Sequence, residues 1–212
     1  MADWLTSPDF GRQDRIMKLT FEDVIQDITD RLTAGANSRK SAMHTAVVAT
    51  ADCDVRVMVL REYDPALRRL RFHTDARSPK VAVIRDNPLV SVLVYDAEAK
   101  VQIRMRGQGI VATTSPQAEA AWDAATNFAK RCYLAKAGPS SVSAEQTSGL
   151  PDWAEGINPT DAQVADARQN FALLYVTVTE FDWLYLANTG HRRAKVSVTP
   201  DLPGWTADWL VP

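Results

Sequence analysis

Between residues 56 and 80 the chain reads RVMVLREYDPALRRLRFHTDARSPK, ten charges and two prolines among strand-forming residues. Arg56, Arg61, Arg69, Arg71, Arg77 and Lys80 all fall in this stretch, which closes in a Ser-Pro-Lys turn. Thr74 and Ser78 add hydroxyls, and Pro79 suits the first turn of a helix. A helix N-terminus, hydroxyls and a lysine together make a favourable phosphate site. The same residues also suit a solvated sheet edge, where lysine and arginine block the addition of another strand. Strand alternation puts Val57, Val59 and Arg61 on one face, and Arg56, Met58 and Leu60 on the other. Arg56 and Arg61 therefore start on opposite faces, and twist or turns at the strand ends must bring them together.

The elements that would hold this stretch are legible around it. Val24, Ile25, Ile28 and Leu32 recur at helical spacing after Thr20, a good N-cap, with Asp23 in the first turn and Gly35 as the stop. MHTAVVATA and VRVMVLREY flank the polar turn DCD and predict a hairpin, and LRRLRFHTD predicts the next strand. A short helix over 78–85 ends at Asn87-Pro88, and LVSVLVYD reads as a buried strand. In KVQIRMRGQGIVA, Val101, Ile103 and Met105 point one way and Gln102, Arg104 and Arg106 the other. A helix is expected over 115–130, then a long polar connection, a short helix near 160–169, and three strands in FALLYVTVTEF, DWLYLA and RAKVSV. Consecutive strands with few intervening helices fit an antiparallel barrel better than a doubly wound sheet. The expected fold is mainly β with flanking helices: a six- to eight-stranded antiparallel split β-barrel in a single domain over 1–212. Its core takes about 40–111 and 171–212, with a helical and loop insertion over about 112–170.

Composition narrows the function. The chain has 212 residues, 46% of them hydrophobic, and a formal net charge of −2, so a sizeable core is available and no basic excess points to nucleic acid. No stretch approaches eighteen apolar residues, and MADWLTSPDFGRQD has no apolar segment of the kind a secretory signal carries, which leads to the expectation of a cytoplasmic protein that spans no membrane. Cys53 and Cys132 form no Cys-x-x-Cys pair, and the three histidines show no His-x-x-x-His spacing, so no metal site is expected. No Gly-x-Gly-x-x-Gly follows a strand, against a dinucleotide fold, and Cys53 has no base near it in sequence to make it a nucleophile.

With these elements in place, RVMVLREYD…LRFHTDARSPKVAVIRDNPLVSVLVYD…KVQIRMRGQ resembles the pyridoxamine 5′-phosphate oxidase family of FMN-binding split-barrel proteins, especially the branch that carries TDARS-K. The similarity runs over roughly 40–111 and resumes in GHRRAK. The resemblance implies that Arg56, Val57, Met58, Val59, Leu60 and Arg61 lie along the flavin, with His73 and Thr74 beside it. It implies that Ser78 and Lys80 grip the phosphate, although Pro79 stands where the family has an arginine and Arg77 lies two positions earlier. Gln102 and Trp183 match flavin contacts, and Gln102 would reach the cofactor across a dimer interface, so a homodimer with FMN at the interface is implied. Arg131, Tyr133, Ser140 and Ser141 fall in the region that binds substrate phosphate, and Arg192 and Arg193 in the late arginine segment, but order and spacing differ from the oxidase.

The resemblance thus implies an FMN-dependent oxidoreductase acting on an amine or another small molecule, the flavin accepting the hydride. The alternative is a non-catalytic flavin-binding carrier or sensor of the stress-related kind. Haem on the same barrel would need His44 or His191 as an axial ligand.

Overall fold

Local capping and alternation build the elements, and one long strand closes them. The computed structural model describes residues 18–198 and 204–212. The opening segment MADWLTSPDFGRQD, read above for the absence of an apolar stretch, lies outside the described residues.

Helix α1 (Phe21–Asn37) starts at a capping box in which the Asp23 carboxylate accepts from Thr20 N at 2.8 Å and Thr20 Oγ1 accepts from Asp23 N at 3.2 Å. Such a cap contributes about 1 kcal/mol. Val24, Ile28 and Leu32 turn inward, as their spacing requires. Gly35 does not stop the helix, which continues to Asn37. A Cβ at Gly35 would stand 2.7 Å from the Met43 carbonyl oxygen, so the glycine is there for close approach.

Strands β1 (Thr45–Thr50) and β2 (Val55–Asp64) form the expected hairpin, followed by β3 (Arg69–Asp75), helix α2 (Pro79–Asp86), β4 (Leu89–Asp96) and β5 (Val101–Ala112). Strand β6 (Phe171–Tyr185) pairs with β5 on one side and with β3 on the other. The order β3-β2-β1-β4-β5-β6 with the β3–β6 pairing closes a six-stranded antiparallel barrel, and β7 (Arg192–Val198) and β8 (Trp205–Leu210) extend it beyond β6. The expected mainly-β split barrel with flanking helices is the observed fold.

Three details differ from expectation. FALLYVTVTEF and DWLYLA, expected as two strands, are one strand, because Glu180 and Asp182 at their junction are matched by arginines across the sheet. Arg193 Nη2 donates to Asp182 at 2.8 Å, Arg104 also pairs with Asp182, and Arg106 lies 3.3 Å from Glu180. The eighth strand is instead β8 at the sheet edge, where Trp205, Ala207 and Trp209 alternate with Thr206 and Asp208 and both tryptophan rings meet Phe21 of α1. The helix expected over 115–130 divides into α3 (Pro116–Asp123) and α4 (Asn127–Lys130), because Thr126 restarts the chain as a new N-cap accepting from Ala129 N. A 3-10 turn, Arg131–Leu134, follows.

The barrel interior is filled by residues such as Val48, Leu60, Phe72, Ile103, Met105 and Trp183, with α1 packed over them. A second, smaller core of Ala118, Trp122, Val164, Phe171 and Leu173 fastens the 112–170 segment to the outer face of β6. That segment contains helix α5 (Asp161–Val164).

Candidate cofactor site

Strands β2 and β3 pair only part of the way. Leu60 faces Phe72 and the pairing continues to Asp64 opposite Arg69, but residues 55–59 of β2 have no partner on β3. On their other side these residues pair with β1, while His73, Thr74 and Asp75 of β3 pair with β6. The two strands thus splay, and a cleft of about 340 Å³ opens between them. Backbone N–H and C=O groups along the free edge of β2 need partners from a ligand or from water. The register slips between Leu60 and Glu62, a bulge at Arg61. Bulges re-aim side chains, which resolves the problem of opposite faces: Arg56 and Arg61 both line the cleft.

One end of the cleft is cationic. Lys80 Nζ donates to Ser78 Oγ at 2.6 Å and to Thr74 Oγ1 at 3.1 Å. Ser78 is the N-cap of α2, and its side chain caps no backbone N–H, which leaves its oxygen to the lysine. Among the described residues Lys80 forms no ion pair, and burial, then the nearby Arg56, push its pKa below the ordinary lysine value. Arg56 is partly committed: it donates to Thr50 Oγ1 at 3.0 Å and pairs with Asp54. Asp75 also lines the cleft, but both its oxygens are held by Arg77, at 3.0 and 2.7 Å. The cleft therefore keeps a net positive charge, with no carboxylate ion-paired to Lys80 among the described residues.

His73 stands between this end and the wall. Its Nε2 is buried and has no hydrogen-bond partner among the described residues, and its ring meets Phe171 edge-on at 4.9 Å. Burial first, then Arg61 and Arg71, push its pKa down to about 4, so the imidazole is neutral near pH 7. Across from it Tyr133 packs on the same Phe171 ring at 5.2 Å, and burial raises its phenol pKa. An unpaired imidazole nitrogen, a free strand edge and an uncancelled lysine fit a planar, hydrogen-bonding ligand with an anionic tail.

The structure thus brings together Arg56, Val57, Met58, Val59, Arg61, His73, Thr74 and Lys80 at the cleft, with Ser78 joined through Lys80. Leu60, expected along the flavin, is instead buried in the core opposite Phe72 and does not line the cleft. Tyr133 lines the cleft, whereas Arg131 turns away to donate to the Ile157 carbonyl at 2.8 Å and sits over the Phe128 ring. Gln102 is on β5, paired to Tyr95 and Leu184, and Arg192 and Arg193 are on β7; none adjoins the cleft within this chain. Arg193 is engaged by Asp182, and Arg192 by the His191 carbonyl at 2.9 Å.

Trp183 requires a correction. It is 1% exposed, and its indole N–H donates to Asp27 at 2.7 Å, so it joins α1 to the barrel core and has no face for a ligand. Arg77, the candidate replacement for the missing arginine of the turn, is spent on Asp75 and on the Ala135 carbonyl at 2.8 Å. His44 Nδ1 lies 2.8 Å from the Gly35 carbonyl, a structural contact with α1. Cys132 and Pro139 line the cleft without having been expected there, and the one signal for them was that long polar loops tend to be functional.

Comparison with known proteins agrees with this fold. Residues 20–113 match the family model described as pyridoxamine 5′-phosphate oxidase, FMN-binding domain. A pyridoxamine 5′-phosphate oxidase-related, FMN-binding protein from Nostoc punctiforme PCC 73102 superposes with a TM-score of 0.67 at 21% identity, covering 92% of this chain and 100% of its own. PhzG from Burkholderia lata 383, solved with tetrahydrophenazine-1-carboxylic acid, superposes with a TM-score of 0.66 at 17% identity, covering 89% of this chain and 92% of its own. No curated protein sequence gives a significant match.

Proposed function

We propose, from the premise that residues 20–113 belong to the pyridoxamine 5′-phosphate oxidase FMN-binding domain family, that the protein binds FMN in the β2–β3 cleft and acts as an FMN-dependent oxidoreductase on a small molecule. The observation that carries this reading is the splayed cleft with Lys80 at its end: a strand edge lacking backbone partners runs toward a lysine lacking a carboxylate. Lys80, Ser78 and Thr74 hold the phosphate, with Arg56 and Arg61 adding charge. The free edge of β2 and His73 Nε2 take the polar rim of the ring system, and Val57 and Val59 supply apolar surface. When bound, FMN supplies the hydride-accepting chemistry, so the chain needs no nucleophile of its own. Tyr133, Cys132 and Pro139 bound the space left for a substrate.

The outer sheet surface supports a homodimer with the cleft at its interface. Val57 lies opposite Val47, and Val47 opposite Leu93, an apolar row beside the cleft, with Val57 67% exposed. A two-fold assembly repeats the contact and gives two equivalent sites. In such a dimer Gln102 and Arg192 would approach the partner's cleft. The absence of a membrane-crossing helix among the described residues is compatible with a cytoplasmic setting.

The purified protein should be yellow and should release FMN, not FAD, on denaturation; a colourless protein that takes up no FMN overturns the reading. A second reading, a flavin carrier without turnover, is favoured by one observation: Arg131 and Arg193, expected to hold a substrate anion, are bound to Ile157 and Asp182 instead. Anaerobic mixing with pyridoxamine 5′-phosphate separates the two. Weak or absent bleaching is expected for that substrate, and a kcat/KM of about 10⁴ M⁻¹s⁻¹ or more, inside the ordinary enzyme range, would contradict the expectation.

A further inference from the structure

The turn that carries Lys80 is tied to the opposite wall of the cleft by one side chain. Arg77 uses Nε and Nη2 on the two oxygens of Asp75, and Nη1 on the Ala135 carbonyl at 2.8 Å. Gly138 closes on the same side chain, since a Cβ there would stand 2.9 Å from the Arg77 Cβ. A second strut runs beside the first. Ala76 N donates to the Asn170 carbonyl at 2.8 Å, and Asn170 Nδ2 donates to the Tyr133 carbonyl at 2.9 Å. The loop is pinned again where Lys136 N donates to the Gly149 carbonyl at 2.9 Å. Cys132, Tyr133 and Pro139, the residues around these contacts, face the cleft.

We propose that Arg77 is a positioning residue that hangs the 132–139 wall on the phosphate turn, so that the wall covers a flavin bound in the cleft. This rests on the FMN reading above. Arg77 is near Lys80 in sequence but serves a different purpose: its guanidinium is directed at three protein oxygens. A lysine at this position would keep the charge beside Asp75 but could not form the planar fork and reach the Ala135 carbonyl together.

The test uses Arg77→Lys and the exposed thiol of Cys132 as a reporter, in protein whose other exposed thiol is removed by Cys53→Asn. Asparagine suits the φ of 66° at position 53. With Arg77 present, saturating FMN should slow thiol labelling of Cys132 at least tenfold. In Arg77→Lys, FMN affinity should stay within about threefold while the protection falls below about twofold, a split that general loss of structure would not produce. Full protection in Arg77→Lys, or none with Arg77 present and the cleft filled, overturns the proposal. If the unsubstituted protein takes up no FMN, the function reading fails, and a ligand-free measurement still decides the role of Arg77. Cleavage after the exposed Glu145 by a glutamate-specific protease should then be at least fivefold faster in Arg77→Lys. An unchanged cleavage rate contradicts the positioning role.

Discussion

Lys80 Nζ lies 2.6 Å from Ser78 Oγ, and this bond fixes a half-buried cation at the mouth of helix α2 without neutralising it. A hydroxyl orients the ammonium but leaves its charge in place, as a carboxylate would not. Everything else in the cleft is arranged around that choice: Asp75 is taken by Arg77, Arg56 is shared with Thr50 and Asp54, and Arg61 is turned in by a bulge.

His73 makes stability depend on acid in a defined window. Its pKa is about 4 in the folded protein against an ordinary value of 6.5, so as pH falls the unfolded chain takes up the proton first. Its contribution is complete above pH 6.5 and is lost progressively as pH falls toward 4. Urea midpoints measured across this window should fall for the natural protein and fall less for His73→Gln. Parallel profiles for the two proteins would show that His73 is not held neutral by its surroundings.

Trp183 should matter for folding and not for the cofactor. Trp183→Phe keeps most of the buried ring but removes the indole N–H from Asp27, whose ion pair with Arg31 stays in place. A loss of about 1–3 kcal/mol of stability is expected from the unmet hydrogen bond. Titration of the folded variant should give an unchanged FMN affinity, and a tenfold weakening would return Trp183 to the site.

How much of this was legible beforehand follows the range of the contacts involved. Thr20 and Asp23 are three residues apart, and the inward set Val101, Ile103 and Met105 is a local alternation, so both could be read directly. The phosphate turn was legible because Thr74, Ser78 and Lys80 are close in sequence. Arg77 was not, since its partner Ala135 is 58 residues away and only the folded insertion brings it near. Trp183 was misplaced for the same reason: its partner Asp27 is 156 residues away on α1. Strand β6 looked like two strands until pairing supplied Arg104 and Arg193 to its largely buried Asp182.

The apolar row Val57, Val47 and Leu93 predicts a dimer whose loss also weakens the cofactor. Val47→Asp places a charge in that row without touching the barrel core or the residues that line the cleft. Light scattering should report a dimer for the natural protein and a monomer for the variant, with FMN affinity reduced in the monomer. A natural protein that is monomeric and still holds FMN tightly would rule out a site completed by a second copy.

The central claim, that the uncancelled charge of Lys80 holds the phosphate of FMN, is tested most directly by titrating flavin-free protein with FMN and following the quenching of flavin fluorescence. Lys80→Ala removes a charge-assisted contact and should weaken binding by about 1.5–3 kcal/mol, roughly ten- to a hundredfold, while riboflavin, which lacks the phosphate, should bind both proteins alike. Equal FMN affinity in Lys80→Ala and the natural protein would contradict the account.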